Sequence, residues 1–171
     1  MTEILIFSLF PALMLTAGIN DCLTMKIPNW LNGVIVVSFF GAAFLMGMPL
    51  EQIGWHMVAG FGVLVTGFIL FSFGYFGGGD AKLVAAGALW LGLPALIEFL
   101  MIMALAGGAL AIVMKFWWWI RLESELRGFA RIKGLFSTSI QLPYGIAIAG
   151  GALFAYQHSW WLKPAQVQFM G

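Results

Sequence analysis

The stretch Phe73-Gly74-Tyr75-Phe76-Gly77-Gly78-Gly79-Asp80-Ala81-Lys82-Leu83 separates two long apolar segments by three consecutive glycines and an aspartate. A carboxylate at the edge of an apolar membrane segment is costly to place, and it marks a functional site by default. The three glycines carry no side chain, so another backbone can approach closely there. Asp80 is therefore the first candidate functional residue, and we expect it to have a partner elsewhere in the chain.

The composition is that of a membrane protein. Of the 171 residues, 62% are hydrophobic and 9% are charged, and the mean hydropathy is +0.98. Soluble domains carry about 25% charged residues. The single cysteine, Cys22, excludes a disulfide framework and a cysteine-based zinc module. No cluster of metal ligands stands out, and no feature indicates nucleic-acid binding, so neither a metal, a cofactor nor a nucleic acid is expected.

Apolar segments close to the membrane-spanning length of about 20 residues predict six helices. They cover Ile4–Asn20, Trp30–Met48, Ile53–Phe76, Ala81–Glu98, Phe99–Trp119 and Leu142–Trp161. The fourth and fifth spans are separated only by a tight turn at Glu98. We therefore predict an all-α integral membrane protein, a compact bundle of about six transmembrane helices, forming a single domain over residues 1–171. The N-terminus has no basic region, so the first span is expected to be retained rather than cleaved.

The basic residues predict the orientation of this bundle. Seven of the eight lysines and arginines lie in or beside the loops that follow spans one, three and five, namely Lys26, Lys82, Lys115, Arg121, Arg127, Arg131 and Lys133. Only Lys163 falls on the other side. By the positive-inside rule, those loops are cytoplasmic and both termini are external. Asp21 and Asp80 then lie at the cytoplasmic face, at similar depth.

The acidic residues leave two candidates for chemistry. The other five lie in external turns or in the basic loop, namely Glu3, Glu51, Glu98, Glu123 and Glu125. Asp21 closes the first span and Asp80 opens the fourth. If these spans touch, the two carboxyl groups share one proton, so one can activate water while the other polarises a carbonyl. The plainer alternatives are that Asp80 caps its helix and that Asp21 is solvated at the membrane border.

Three motifs together resemble those of the bacterial type IV prepilin leader peptidases, which are intramembrane aspartic proteases of the GxGD type. Asp21 followed by Lys26-Ile27-Pro28-Asn29 resembles their first aspartate motif. Gly77-Gly78-Gly79-Asp80-Ala81-Lys82-Leu83 resembles the second, and Pro143-Tyr144-Gly145 resembles a proline-containing motif at their last span.

The resemblance implies that Asp21 and Asp80 are the catalytic pair. The residues that it places around the substrate or in support of the motifs are Lys26, Pro28, Asn29, Gly77, Gly78, Gly79, Lys82 and Pro143. The three glycines are well suited to pair with an extended substrate backbone. For Lys26 and Lys82, anchoring to lipid phosphates at the cytoplasmic face is the simpler alternative.

The resemblance also implies the substrate and the location. The expected substrate is a prepilin or pseudopilin, whose short basic leader is removed ahead of its hydrophobic helix at the cytoplasmic face of the bacterial inner membrane. Larger relatives carry a loop with four cysteines that is linked to N-methylation of the mature pilin. Because this chain has one cysteine, it resembles the short, peptidase-only form associated with tight-adherence (Flp) pili. The oligomeric state is left open.

Two other classes of function fit the same residues. A small proton-coupled transporter would use Asp21 and Asp80 as a proton relay, and a structural subunit would use them only to set topology. Carriers usually bind their ions near the middle of the bilayer. Because both aspartates are predicted at one membrane border, the peptidase is favoured. His56 and His158 are expected at the opposite border, in interfacial packing far from the aspartates.

Overall fold

A computed structural model describes residues 2–122 and 142–162 of the chain. These residues form five helices and a short 3-10 helix: α1 (Thr2–Thr24), α2 (Asn29–Leu45), α3 (Leu50–Ser72), α4 (Gly78–Leu122), α5 (Tyr144–Tyr156) and the 3-10 helix Trp160–Leu162. Within the described ranges, three segments are long and apolar enough to cross a membrane, Leu5–Thr24, Leu50–Ser72 and Gly78–Trp117. The predicted all-α membrane bundle is confirmed. The basic loop with Arg127, Arg131 and Lys133, and also Lys163, lie outside the described residues.

The predicted boundary between the fourth and fifth spans is wrong. They form one helix, α4, whose backbone breaks at Gly92 (φ 68°, ψ 176°) rather than at Glu98. The chain folds back at this break, as the short distance between the two arms shows: a Cβ atom built on Gly87 would lie 3.2 Å from the ring of Phe99. In a straight helix these two positions would be about 18 Å apart. The helix therefore has a first arm (78–91) and a second arm (93–122), and the described part of the chain contains five helices where six were predicted.

Local sequence explains the position of this break. The backbone conformation of Gly92 is almost restricted to glycine. Pro94 has no N–H to donate to the Trp90 carbonyl four residues earlier. That carbonyl instead accepts a hydrogen bond of 2.7 Å from Nε1 of Trp161. The neighbouring carbonyl of Leu89 accepts one of 2.8 Å from Nδ1 of His56. Side chains of other elements thus satisfy the carbonyls that the break releases.

His56 is consequently fully buried rather than packed at an interface. Its imidazole stacks on the ring of Phe39. It also lies against the break in α4, where a Cβ atom on Gly92 would come within 2.8 Å of the imidazole. His158, in contrast, is largely exposed and forms a 2.7 Å hydrogen bond with Glu98. Neither histidine contacts an aspartate, as expected.

Replacing Gly92 with alanine is expected to destabilise the protein by about 2–5 kcal/mol, because backbone strain adds to overpacking against His56. Gly47 provides the control. It also has a positive φ of 66°, but its Cβ atom would meet no atom within 4 Å. Gly47→Ala should therefore cost only the strain, about 1–2 kcal/mol. The free energy of unfolding of both variants is measured by reversible unfolding in detergent. Equal losses of this free energy in the two variants would contradict the steric role of His56.

The packing of the helices brings the two aspartates to one end of the bundle. α5 packs between α1 and α4, whereas α1 touches α4 only over a short stretch. α3 runs along the first arm of α4, with Gly60 against Leu89 and Gly67 against Ala81. Because α1 ends and α4 begins at the same end of the bundle, the two functional segments meet there. The break at Gly92 lies at the opposite end.

Candidate active site

Asp21 and Asp80 face one cavity. Asp21 lies near the end of α1 and Asp80 in the first turn of α4. Both line a cavity of about 610 Å³, and their carboxyl groups are close enough to interact electrostatically. The other lining residues are Met25, Lys26, Ile27, Pro28, Asn29, Gly77, Gly78, Gly79 and Leu142. The structure thus brings the two predicted aspartates together at their helix ends, with little contact between the helices themselves.

Asp21 is held by the N-terminus of α5. Its side chain is buried, and Oδ2 accepts a hydrogen bond of 2.7 Å from the backbone N–H of Gly145. The first N–H groups of a helix have no partner within the helix, so they are available to a carboxylate. A Cβ atom on Gly145 would lie 2.7 Å from the Cβ of Asp21. Only glycine allows the two helices to approach closely enough for this bond.

Asp80 is half-buried, and it follows directly on residues 77–79, which we call the glycine loop although Gly78 and Gly79 already belong to the first turn of α4. The N–H of Ala81 donates to the carbonyl of Gly77 over 2.9 Å, which starts the helix. A Cβ atom on Gly77 would lie 2.5 Å from Oδ2 of Asp80, and one on Gly79 would lie 3.3 Å from the Cβ of Ile27. Side chains at these two positions would therefore crowd the carboxyl group and the opposite wall of the cavity.

The segment after α1 forms that opposite wall. Nδ2 of Asn20 donates to the carbonyl of Lys26 over 2.8 Å. The Thr24 hydroxyl lies between two acceptors, the carbonyl of Asn20 at 2.8 Å and that of Lys26 at 3.1 Å. Met25 takes a positive φ of 53°, which is uncommon for a side chain of this kind. The chain therefore turns back over the end of α1, and this turn places Lys26, Pro28 and Asn29 on the cavity wall.

Two of the predicted supporting residues lie outside the cavity. Nζ of Lys82 donates to Oδ1 of Asn29 over 2.8 Å, at the edge of the site. Pro143 is buried and directly precedes the first residue of α5. Among residues 2–122 and 142–162, neither Lys26 nor Lys82 forms an ion pair with Asp21 or Asp80. The same ranges contain no group of three His, Cys, Asp or Glu side chains arranged to hold a metal ion.

The sequence did not predict the backbone donor of Gly145. A search for carboxylates, histidines and cysteines does not detect a backbone N–H. In addition, the bonded residues, Asp21 and Gly145, are 124 positions apart in the sequence. The only signal was the triplet Pro143-Tyr144-Gly145, in which a proline precedes the first helical residue and a glycine follows it. With that donor, the site has two carboxyl groups, of which one is fixed, beside an open glycine backbone. This arrangement can bind and activate a water molecule next to an extended peptide.

Comparison with models of known protein families gives a match to part of the chain. A family model described as the type IV leader peptidase family matches residues 8–112. That range contains Asp21, the turn after α1, the glycine loop and Asp80, and it ends before Pro143. No curated protein and no solved structure shows a significant match to the chain.

Proposed function

The chain belongs to the type IV leader peptidase family, and from this premise we propose that it is an aspartic endopeptidase of the membrane in which Asp21 and Asp80 activate water. The observation that supports this proposal is the shared cavity, in which both carboxyl groups lie beside the glycine loop. The substrate is a type IV prepilin or pseudopilin of the Flp type. The enzyme removes its short basic leader ahead of the hydrophobic helix.

The proposed chemistry needs only the two carboxyl groups and water. Two neighbouring carboxyl groups do not ionise together easily, so they share a proton. The ionised group takes a proton from water, while the protonated group donates a hydrogen bond to the scissile carbonyl. The water oxygen bonds to the carbonyl carbon, and this gives a tetrahedral intermediate. Collapse of the tetrahedral intermediate then passes a proton to the leaving amine. The N–H of Gly145 fixes the Asp21 carboxyl group, and this leaves its other oxygen free for water or for the shared proton.

The proposed substrate path follows from the walls of the cavity. Backbone groups of residues 77–79 can pair with an extended segment around the scissile bond. The cavity opens at the end of the bundle that the basic residues predict to be cytoplasmic. We therefore propose that cleavage occurs at the cytoplasmic face of the bacterial inner membrane, with both termini external. The chain would act as a single peptidase domain without methyltransferase activity.

The direct test is cleavage by the purified protein in detergent, with a prepilin as substrate. Mass spectrometry of both products identifies the bond that is cut. We expect two fragments that meet at the junction of the basic leader and the hydrophobic helix. A protein that leaves several prepilins intact, but moves protons when reconstituted in vesicles, would instead support the transporter alternative.

Replacing Cys22 with serine is expected to change the cleavage rate by less than about two-fold, because a thiol takes no part in water activation by carboxyl groups. Cys22 follows Asp21 directly and is exposed, so it is the obvious rival nucleophile. The measurement is the initial rate of leader removal at equal amounts of enzyme. A loss of several hundred-fold would indicate a cysteine peptidase and would contradict the proposed mechanism.

A further inference from the structure

A second, apolar cavity begins beside the active site. It has a volume of about 530 Å³ and lies between α2, α3 and the first arm of α4. α2 and α3 follow each other in the chain, yet they make little contact along their lengths. We call the space between them the α2–α3 groove. Its small residues are Gly33, Gly60, Ala85 and Ala86, and its larger apolar ones include Val36, Phe40, Phe61 and Leu64.

The groove adjoins the catalytic cavity. Asn29 lines both of them, and Lys82, which donates a hydrogen bond to Asn29, lines the groove at the same end. A polypeptide that leaves the catalytic cavity past Asn29 would therefore meet the groove next. Small residues in membrane helices allow another helix to approach closely. Gly33 offers such a position, because it lines the groove and a Cβ atom built on it would meet no atom within 4 Å.

One polar side chain in the groove has no partner. Asn32 is 6% exposed, and neither Oδ1 nor Nδ2 of its amide has a hydrogen-bond partner. It lies three residues beyond Asn29, about 4.5 Å further along the helix axis. Buried polar groups are nearly always hydrogen-bonded, and an unpaired one needs a specific explanation. Because Asn32 lines the α2–α3 groove, a molecule bound in the groove is a possible source of that partner.

We propose that the α2–α3 groove binds the apolar helix that follows the scissile bond of the substrate, and that Asn32 pairs with a hydrogen-bonding side chain in the first turns of that helix. This inference rests on the proposed peptidase function. Helices commonly bind by laying an apolar face into such a groove. A lipid chain also fits apolar walls, but it carries no donor or acceptor for a buried amide.

Gly33→Phe tests the groove. A Cβ atom on Gly33 would meet no atom within 4 Å, so the ring can extend into the groove without disturbing α2. Two substrates are compared: a full-length prepilin, and a soluble peptide that ends about four residues after the scissile bond. We expect the ratio of kcat/KM for prepilin over peptide to fall at least ten-fold in the variant, through a higher KM for the prepilin.

Two variants serve as controls, because Gly41 and Gly62 also face open space. Gly41 lies on α2 outside the groove, and Gly62 lines a different apolar cavity, between α3 and both arms of α4. Gly41→Phe and Gly62→Phe should keep the wild-type ratio. An unchanged ratio in Gly33→Phe, as expected if lipid alone fills the groove, would overturn the inference. So would an equal fall in Gly62→Phe. If the wild type cleaves neither substrate, the proposed function itself fails.

Asn32→Leu tests the pairing. A set of prepilins carries a single glutamine at successive positions in the first two turns of an otherwise leucine helix. We expect the wild type to prefer one position about ten-fold in KM, and Asn32→Leu to lose that preference while still cleaving the all-leucine substrate. The variant should fold, because it removes a buried group that has no partner. A preference that persists in Asn32→Leu, or its absence from the wild type, would contradict the role of Asn32.

Discussion

Replacing Asp80 with asparagine is expected to abolish leader removal, with a loss of at least about 10³-fold in rate, and replacing Asp21 should do the same. An amide neither takes a proton from water nor shares one with a neighbouring carboxyl group, so either change removes general acid–base catalysis. Both side chains line the cavity at helix ends, and asparagine has nearly the shape of aspartate. The measurement is the processed fraction of a co-expressed prepilin, at matched amounts of enzyme in the membrane.

Glu51→Gln provides the matched control. Glu51 is an exposed carboxylate in the first turn of α3, and α3 begins at the end of the bundle away from the cavity. This variant loses the same charge and should process the prepilin like the wild type. Near-normal processing by either aspartate variant would contradict the paired mechanism. Loss of processing in the control would show that charge removal, rather than catalysis, is being measured.

Replacing Gly145 with alanine is expected to reduce kcat about 100-fold or more, with a smaller effect on KM. The added methyl group would lie 2.7 Å from the Cβ and 2.9 Å from Oδ2 of Asp21, so α5 must shift and the hydrogen bond from its N–H must lengthen. The Asp21 carboxyl group then loses the contact that orients it. Small displacements of a catalytic group of this kind can reduce rates about 10²-fold.

Gly150→Ala is the control for this prediction. Gly150 lies on the same helix, and its Cβ atom would meet no atom within 4 Å. It should therefore keep kcat within about two-fold of the wild type, as an unstrained helical glycine replaced by alanine does not disturb packing. Unfolding in detergent separates a local effect from general instability. If Gly145→Ala and Gly150→Ala cleave equally well, Gly145 does not position Asp21.

Much of the fold could be predicted because its signals are local. Apolar segments of membrane-spanning length and glycines beside an aspartate are visible in short windows of sequence. Asp21 and Asp80 emerged as a pair by elimination, since the other acidic residues fall in turns or in the basic loop. Both then line one cavity at one end of the bundle. Their proximity itself was a conditional expectation, because composition does not show which helices touch.

The remaining features depend on contacts between distant residues. The predicted turn between the fourth and fifth spans was placed at Glu98, yet the break occurs at Gly92, where the side chains of Trp161 and His56 donate hydrogen bonds to the released carbonyls. His56 looked interfacial because it is close to the start of a helix. Likewise, no local pattern identifies the N–H of Gly145 as a partner of Asp21, because nearly every residue type has a backbone N–H and the sequence does not show which one donates.

The central claim is that Asp21 and Asp80 act as one catalytic unit, and a double-mutant comparison tests it most directly. Single-turnover rates of leader removal are measured for Asp21→Asn, Asp80→Asn and the double variant, at saturating enzyme. Residues that act together lose their contribution once either is removed, so the account predicts that the three variants are equally slow within about three-fold. A double variant whose loss is the product of the two single losses, or a single variant that retains substantial cleavage, would contradict it.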